Sequence, residues 1–409
     1  MIVFFIFYAL SELPSNLIVR PIGVVPYLSF LILAWGAVAM CLGFVQNFVQ
    51  LTVLRLLLGL FEGGLNVNTH RYPCPHVTHA DVFSQPACVY LISSWYRRYE
   101  THTRIAIWYT FASTFAGFAG VISYGFSKME GAGGLRGWRW IFIMPGLITI
   151  LCVVLVYLFV SEFPERAKWL KPDELDLVRQ RLREDRAEEL DDKTTLRESL
   201  APLKDWRVWT MSMLYFYPAA GYYALAFFMP SILSSFGFSV ALSLILQTPP
   251  YILGAICSVL TGYYADRTHV RSPFMLGHAV VTILGFVLMG WGPNTGGKLT
   301  GVFLSMTGIQ CIIPTVFTFM SNNIVSVKSR KVGIALQIVV GAVGGVVGSQ
   351  IFRVKDAPKY RPGMYAALAL MVVFMINVAG ITEYFRRQNK KADEEGLIID
   401  GVDGFRYTL

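Results

Sequence analysis

The chain has 409 residues, of which 55% are hydrophobic and only 15% are charged, and its mean hydropathy is +0.52. Soluble domains carry about 25% charged residues, so this composition excludes an ordinary soluble fold and predicts helices that face lipid. The net charge of +9 fits the Lys and Arg that membrane proteins place on cytoplasmic loops, and we expect no nucleic-acid partner. Six scattered cysteines, mostly in apolar runs, predict neither a disulfide framework nor a metal site.

Apolar runs long enough to cross a bilayer, which takes about 20 residues, follow one another along the chain. Five precede a polar interval and six follow it, so we predict eleven transmembrane helices. The predicted spans cover residues 1–19, 26–46, 48–66, 105–127, 139–160, 207–234, 240–265, 273–292, 300–321, 331–352 and 363–385.

The polar interval is rich in Arg, Glu and Asp, with apolar residues at helical spacing. We interpret it as a cytoplasmic linker that carries an exposed amphipathic helix. Short loops on this side of the predicted array carry more Lys and Arg than the opposite loops, which is the sign that the positive-inside rule expects. The predicted domains are an N-terminal bundle (1–160), this linker (161–206), a C-terminal bundle (207–388) and a cytoplasmic tail (389–409).

The loop after the span 240–265 has the pattern Gly-x-x-x-Asp-Arg-x-x-x-Arg, with Gly262, Asp266, Arg267 and Arg271 at the fixed positions. Glycine lets two helices approach closely, and Asp and Arg can pair across helix ends as a latch, so we predict a gating motif. The pattern resembles the signature of the major facilitator superfamily. A degenerate copy lies half a chain earlier, at 15–23, and the two copies predict two six-helix repeats.

Other stretches resemble the fungal anion:cation symporter branch of that superfamily, which contains allantoate, nicotinate, pantothenate and biotin permeases. They are residues 4–16, 55–64, 90–96, 137–142, 321–323, 356–360 and 387–391. The resemblance covers nearly the whole chain and implies an all-α polytopic membrane protein with the major facilitator fold, built from two pseudo-symmetric helical bundles. Compared with that family, eleven of twelve helices are present, the first is missing, and Pro145 stands where an acidic residue is expected.

An insert, residues 67–85, interrupts the fourth helix of the family pattern. Its potential metal ligands are His70, Cys74, His76 and His79. The insert opens with Val and closes with Gln, as a translated short intron could, and its removal would restore one apolar helix. We interpret it as a retained intron and predict no bound metal, because ligand types without structural context often mislead. A genuine family-specific loop is the alternative.

Ionisable side chains within apolar spans are expensive and usually face a cavity or a partner. The candidates for proton coupling are Glu12, Arg55 and Glu62. Arg55 and Glu62 are seven residues apart, two turns along one helix face, so a protonatable carboxylate would lie beside a fixed cation. The pair would couple proton entry to anion binding. A structural pair is the alternative, as is an interfacial role for Glu12.

Aromatic and amide side chains of the second half could contact a substrate. Tyr217 and Tyr222 lie near the middle of an aromatic-rich span, although packing or an interfacial belt would also explain them. A lone histidine in a span, His278, is more simply a hydrogen-bonded packing residue. The substrate-binding candidates are Arg55, Tyr217, Tyr222, Asn322, Asn323 and Gln337.

We therefore predict a monomeric, proton-coupled importer of a small organic anion, such as nicotinate, in a plasma membrane. Its partners would be that anion, protons and the lipid bilayer, and we expect no cofactor. The glycine-rich stretch 292–298 resembles a phosphate-binding loop, but Leu299 follows where Ser or Thr is needed, which argues against ATP.

An enzyme is not indicated, because no nucleophile–base pair or metal spacing occurs within the spans. Two alternatives stay open. One is a transporter of another solute class, such as dipeptides or ureides. The other is a transport-dead product or a nutrient receptor, which the missing helix and the insert suggest.

Overall fold

The computed structural model describes residues 24–65, 96, 99–159, 173–174, 176, 180, 201–325, 327–357, 359–396, 398–400, 402 and 404–409. Within these ranges the chain is helical, and an isolated β-bridge joins Ile399 to Val402. The α-helices are α1 (Val24–Cys41), α2 (Phe48–Leu65), α3 (Thr101–Ser127), α4 (Gly137–Phe159), α5 (Trp206–Ser235), α6 (Val240–Leu246), α7 (Thr248–Thr268), α8 (Ser272–Trp291), α9 (Thr295–Asn323), α10 (Val327–Ile351) and α11 (Arg361–Glu394).

Ten of the eleven predicted spans coincide with helices, and the first span, 1–19, lies outside the described residues. The span 240–265 comprises two consecutive helices, α6 and α7. Seven stretches of the described residues are long and apolar enough to cross a membrane: Thr101–Ser127, Gly137–Leu155, Val240–Thr268, Ser272–Trp291, Thr295–Asn323, Val332–Ile351 and Arg361–Glu394. Helices satisfy their own backbone hydrogen bonds, which is why such sequences become helical in lipid.

Polar side chains mark the starts of two long helices. Asp205 caps α5, because its carboxylate accepts a hydrogen bond from the Arg207 amide at 2.9 Å. Asn294 caps α9 in the same way through the Gly297 amide at 2.7 Å. The glycine-rich stretch 292–298 is therefore a turn and the capped start of a helix, which is the role that Asn residues favour.

The chain divides into two compact units. The first comprises Met1–Cys88 with Phe118–Leu177, and the second comprises Val89–Gly117 with Val178–Leu409. The early part of α3 thus belongs with the second unit, whereas the sequence assigns all of it to an N-terminal bundle. The predicted bundle boundaries stay a prediction. The insert 67–85 and most of the linker lie outside the described residues.

Helices approach closely within each unit. In the first unit α1 and α4 meet at glycines, and a Cβ atom on Gly146 would lie 2.6 Å from the Met40 amide nitrogen. In the second unit α9 is the most enclosed helix, with every residue from Ser305 to Asn323 buried. There α10 packs on α5, where a Cβ atom on Gly344 would lie 2.5 Å from the Phe216 carbonyl oxygen. Small residues are what allow such packing between membrane helices.

Candidate functional site

The predicted coupling pair lies on α2 in the first unit. Arg55 and Glu62 are both half-buried, and the Glu62 carboxylate accepts a hydrogen bond from Trp35 Nε1 of α1 at 3.2 Å. Seven residues of helix separate the two Cα positions by about 10 Å along the axis, on nearly the same face. A small anion between the two side chains could therefore contact both. Glu12 lies outside the described residues.

The two tyrosine candidates on α5 contact other aromatic rings. The Tyr217 ring meets the Phe374 ring edge-on, with centroids 6.3 Å apart, and the Tyr222 ring meets the Tyr251 ring similarly at 6.2 Å. Both tyrosines are half-buried, so each has a packed side and an accessible side. Aromatic packing accounts for their position, and a role in substrate binding stays a prediction.

The amide candidates lie on α9 and α10 and are buried. Gln337 is fully buried, and its Nε2 contacts the carbonyl oxygens of Met211 and Val316, each at 3.4 Å. Asn322 is 1% exposed. Asn323 differs, because both ends of its amide bond the backbone of Thr408: Oδ1 accepts from the amide at 2.7 Å, and Nδ2 donates to the carbonyl at 3.0 Å. A substrate could reach the Asn323 amide only after Thr408 had left it.

The Gly-x-x-x-Asp-Arg-x-x-x-Arg motif joins the end of α7 to the start of α8. Gly262 lies against α3, and a Cβ atom there would be 3.0 Å from Thr103 Cα, which is the close approach expected of this glycine. Asp266 forms a 2.7 Å ion pair with Arg271, whose side chain is fully buried. Arg267 is exposed, with its guanidinium 5.0 Å from the centre of the Tyr263 ring.

Asp266 also binds the first turn of α3. Its Oδ2 accepts hydrogen bonds from the Thr103 amide at 2.8 Å and from the Thr103 hydroxyl at 2.7 Å. Amides at a helix N-terminus have no partner within the helix, and a carboxylate there also opposes the helix dipole. Burial lowers the pKa of Arg271, and the Asp266 carboxylate opposes that shift. Asp266 therefore has two roles: it caps α3 at Thr103 and it stabilises the charge of the buried Arg271.

Two residues that lie near this motif were not identified from the sequence. Thr103 and the fully buried His102 precede the predicted start of the span at residue 105, although a Thr at a helix start is a recognised capping signal. His102 Nε2 lies 3.1 Å from the hydroxyl of Thr315 on α9.

The predicted packing residue His278 is hydrogen-bonded through Nε2 to the Thr261 hydroxyl at 2.8 Å.

Comparison with known proteins decides the family. A profile described as Major Facilitator Superfamily matches residues 80–349. The chain belongs to the Major Facilitator Superfamily. It is therefore an integral, multi-pass membrane transporter and not an enzyme, as the sequence predicts.

Curated relatives agree with the fungal resemblance. The chain is 28% identical to the MFS transporter prlL of a fungal species (strain NRRL 50135), in an alignment that covers 100% of this chain and 79% of the relative. It is also 28% identical to the high-affinity nicotinic acid transporter of Saccharomyces cerevisiae, over 95% of this chain and 69% of the relative. Both are transporters, and the predicted membership of a fungal permease-like family is confirmed.

Solved structures agree on the fold. The proton:xylose symporter XylE, solved with bound 6-bromo-6-deoxy-D-glucose, superposes with a TM-score of 0.67 at 14% identity, over 94% of this chain and 84% of that chain. At this identity the likeness shows the major facilitator fold alone. Among the described residues, no group of three or more His, Cys, Asp or Glu side chains could hold a metal ion. The His and Cys residues of the insert lie outside that range.

Proposed function

We propose that this transporter is a proton-coupled symporter that imports a small organic anion across a plasma membrane. The observation that carries the proposal is the arrangement on α2, where Glu62 and Arg55 share one face and Trp35 holds the Glu62 carboxylate. Likeness to a nicotinic acid transporter supports a monocarboxylate of that size as the substrate.

The two charges give a physical route to coupling. Charges interact strongly in a medium of low dielectric constant, so an anion beside an ionised Glu62 is repelled and an anion beside Arg55 is attracted. A proton on Glu62 removes the repulsion and leaves the attraction. Proton and anion therefore each strengthen the binding of the other, and this reciprocity is the thermodynamic requirement for symport. The Trp35 N–H fixes where the carboxyl group lies.

Uptake by the purified chain in proteoliposomes tests the proposal. Labelled nicotinate and a panel of other carboxylates, dipeptides and ureides are offered outside, with the outside more acidic than the lumen. We expect one carboxylate to accumulate against its gradient and to leave when a protonophore collapses the pH difference. Accumulation that ignores the pH difference, or accumulation of only uncharged solutes, would contradict the proposal. A parallel chain without residues 67–85 measures what the insert does to the rate.

A further inference from the structure

The segment Phe405–Leu409 lies against the ends of several helices of the second unit, and we call it the strap. Its middle is buried: Tyr407 is 4% exposed and Thr408 is 2% exposed. The sequence predicts that these residues belong to a cytoplasmic tail, 389–409. A short terminal segment that buries two aromatic side chains, Phe405 and Tyr407, has a binding site on the rest of the second unit.

Two asparagines hold the strap by its backbone. Asn389 on α11 accepts from the Tyr407 amide and donates to the Tyr407 carbonyl, each at 2.8 Å. Asn323 on α9 forms the same pair of hydrogen bonds with Thr408, the residue that follows Tyr407 in the strap. An amide side chain offers one acceptor and one donor, so each asparagine pairs with the strap as an adjacent β-strand would. The two pairs fix the position of consecutive residues.

The Tyr407 side chain supplies the remaining contacts. Its ring stacks on Phe385 of α11, with centroids 4.2 Å apart and an interplanar angle of 17°. Its hydroxyl accepts a hydrogen bond from Arg207 of α5 and donates one to Asp400 at 3.1 Å. Arg207 also pairs with Asp400 at 2.9 Å. The Tyr407 hydroxyl, the Arg207 guanidinium and the Asp400 carboxylate are thus each bonded to the other two.

One residue, Arg271, joins the strap to the Gly-x-x-x-Asp-Arg-x-x-x-Arg motif. The backbone amide of Arg271, at the start of α8, donates to the backbone oxygen of Leu409 at 2.5 Å. The Arg271 side chain binds Asp266, which in turn caps α3 at Thr103. A continuous set of hydrogen bonds therefore runs from the strap to the first turn of α3, all within the second unit.

We propose that the strap is an intramolecular ligand that docks reversibly at the ends of α5, α8, α9 and α11, and that its docking holds the Asp266 cap on α3. The mechanism is positional. When Leu409 is docked, the main chain of Arg271 is bonded to Leu409 and its side chain is bonded to Asp266. The Asp266 carboxylate is thereby held within hydrogen-bond distance of the Thr103 amide. When the strap leaves, Arg271 gains freedom and the cap weakens. This role of the strap does not depend on which solute the protein transports.

Hydrogen exchange measured by mass spectrometry tests this in the full chain and in a variant that stops after Gly404. Without the strap Arg271 loses the hydrogen bond from its amide to Leu409, and the loss of a hydrogen bond weakens protection by about tenfold. We expect exchange to accelerate by that factor in peptides that contain Arg271 and in peptides that contain Thr103. Adding the synthetic peptide Phe-Arg-Tyr-Thr-Leu should restore protection. The same peptide with Ala in place of Tyr should not.

Point variants supply the matched control. Asn389→Ala keeps the strap but removes both of its bonds to Tyr407, and it should reproduce part of the acceleration. Asp393→Ala removes an exposed ion pair with Arg406 without changing the strap itself, and it should leave exchange near Thr103 unchanged. Acceleration confined to α11 and the strap, with Thr103 still protected, would overturn the link to the cap. If neither the truncated variant nor Asn389→Ala yields folded protein, the segment is a fixed part of the fold and the reversible strap is wrong.

Discussion

Asp266 and Thr103 are 163 residues apart in sequence, yet one carboxylate oxygen of Asp266 accepts hydrogen bonds from both the amide and the hydroxyl of Thr103. The carboxylate thus acts as an N-cap supplied from another helix. Its second oxygen pairs with the fully buried Arg271. The motif therefore ties the starts of α3 and α8 together through the end of α7.

Asp266→Asn should destabilise the protein strongly. The asparagine can still accept from Thr103, but it leaves the buried Arg271 guanidinium without a counter-charge. Removing one partner of a buried ion pair costs about 3 kcal/mol. Asp393→Asn is the control, because its pair with Arg406 is exposed and should change stability by less than about 0.5 kcal/mol. Thermal unfolding of the two purified variants makes the comparison, and equal melting temperatures would contradict the assigned role.

Gly344→Ala should separate α10 from α5. A Cβ atom at that position meets the Phe216 carbonyl oxygen at 2.5 Å, so backbone must move. Gly380 on α11 has nothing within 4 Å of such a Cβ atom, and Gly380→Ala should be neutral or stabilising by up to about 1 kcal/mol. Thermal unfolding distinguishes the two outcomes, and a well-tolerated Gly344→Ala would show that the contact is not this tight.

Alkaline pH should release the strap. Burial, and after it the Asp400 carboxylate, raise the pKa of Tyr407 above its ordinary value of about 10. The docked form thus holds its proton more tightly than the undocked form, so docking is fully favoured below about pH 10 and weakens as pH rises above it. The protection factor near Arg271, which already allows for the base-catalysed rise of amide exchange itself, should fall in that range. Tyr407→Phe keeps the ring that stacks on Phe385 and should lose this pH dependence.

Apolar runs predict the helices well but not where each one ends. The predicted span 363–385 continues as helix to Glu394. Its last turns are charged, and ion pairs along the helix surface support them: Glu383 with Arg387 at 2.8 Å, and Lys390 with Glu394 at 3.7 Å. Hydropathy registers burial in lipid, and it says nothing about a helix that continues into water with i,i+4 pairs.

Contacts across the fold explain why the candidate site was harder to predict. Gly262 could be recognised because its spacing belongs to a family motif. The cap on Thr103 could not, since no local pattern states which helix a carboxylate will reach. Asn323 shows the same limit: its predicted role in substrate binding stays a prediction, and no local pattern indicates that both ends of its amide bond the backbone of Thr408. Its role depends on a segment 85 residues away.

Glu62→Gln should abolish accumulation driven by a pH difference while leaving exchange of the labelled anion across the membrane. Glutamine still accepts from Trp35, so the fold of α1 on α2 is kept, but it cannot take up or release a proton. Arg55→Lys keeps the charge and loses the planar pair of donors that suits a carboxylate, so it should raise KM more than it lowers the maximal rate. Trp35→Phe, which removes the N–H donor to Glu62 together with part of the indole ring, should leave coupling in place with a shifted pH profile. If Glu62→Gln still concentrates the anion with unchanged pH dependence, then Glu62 is structural and the coupling site lies elsewhere.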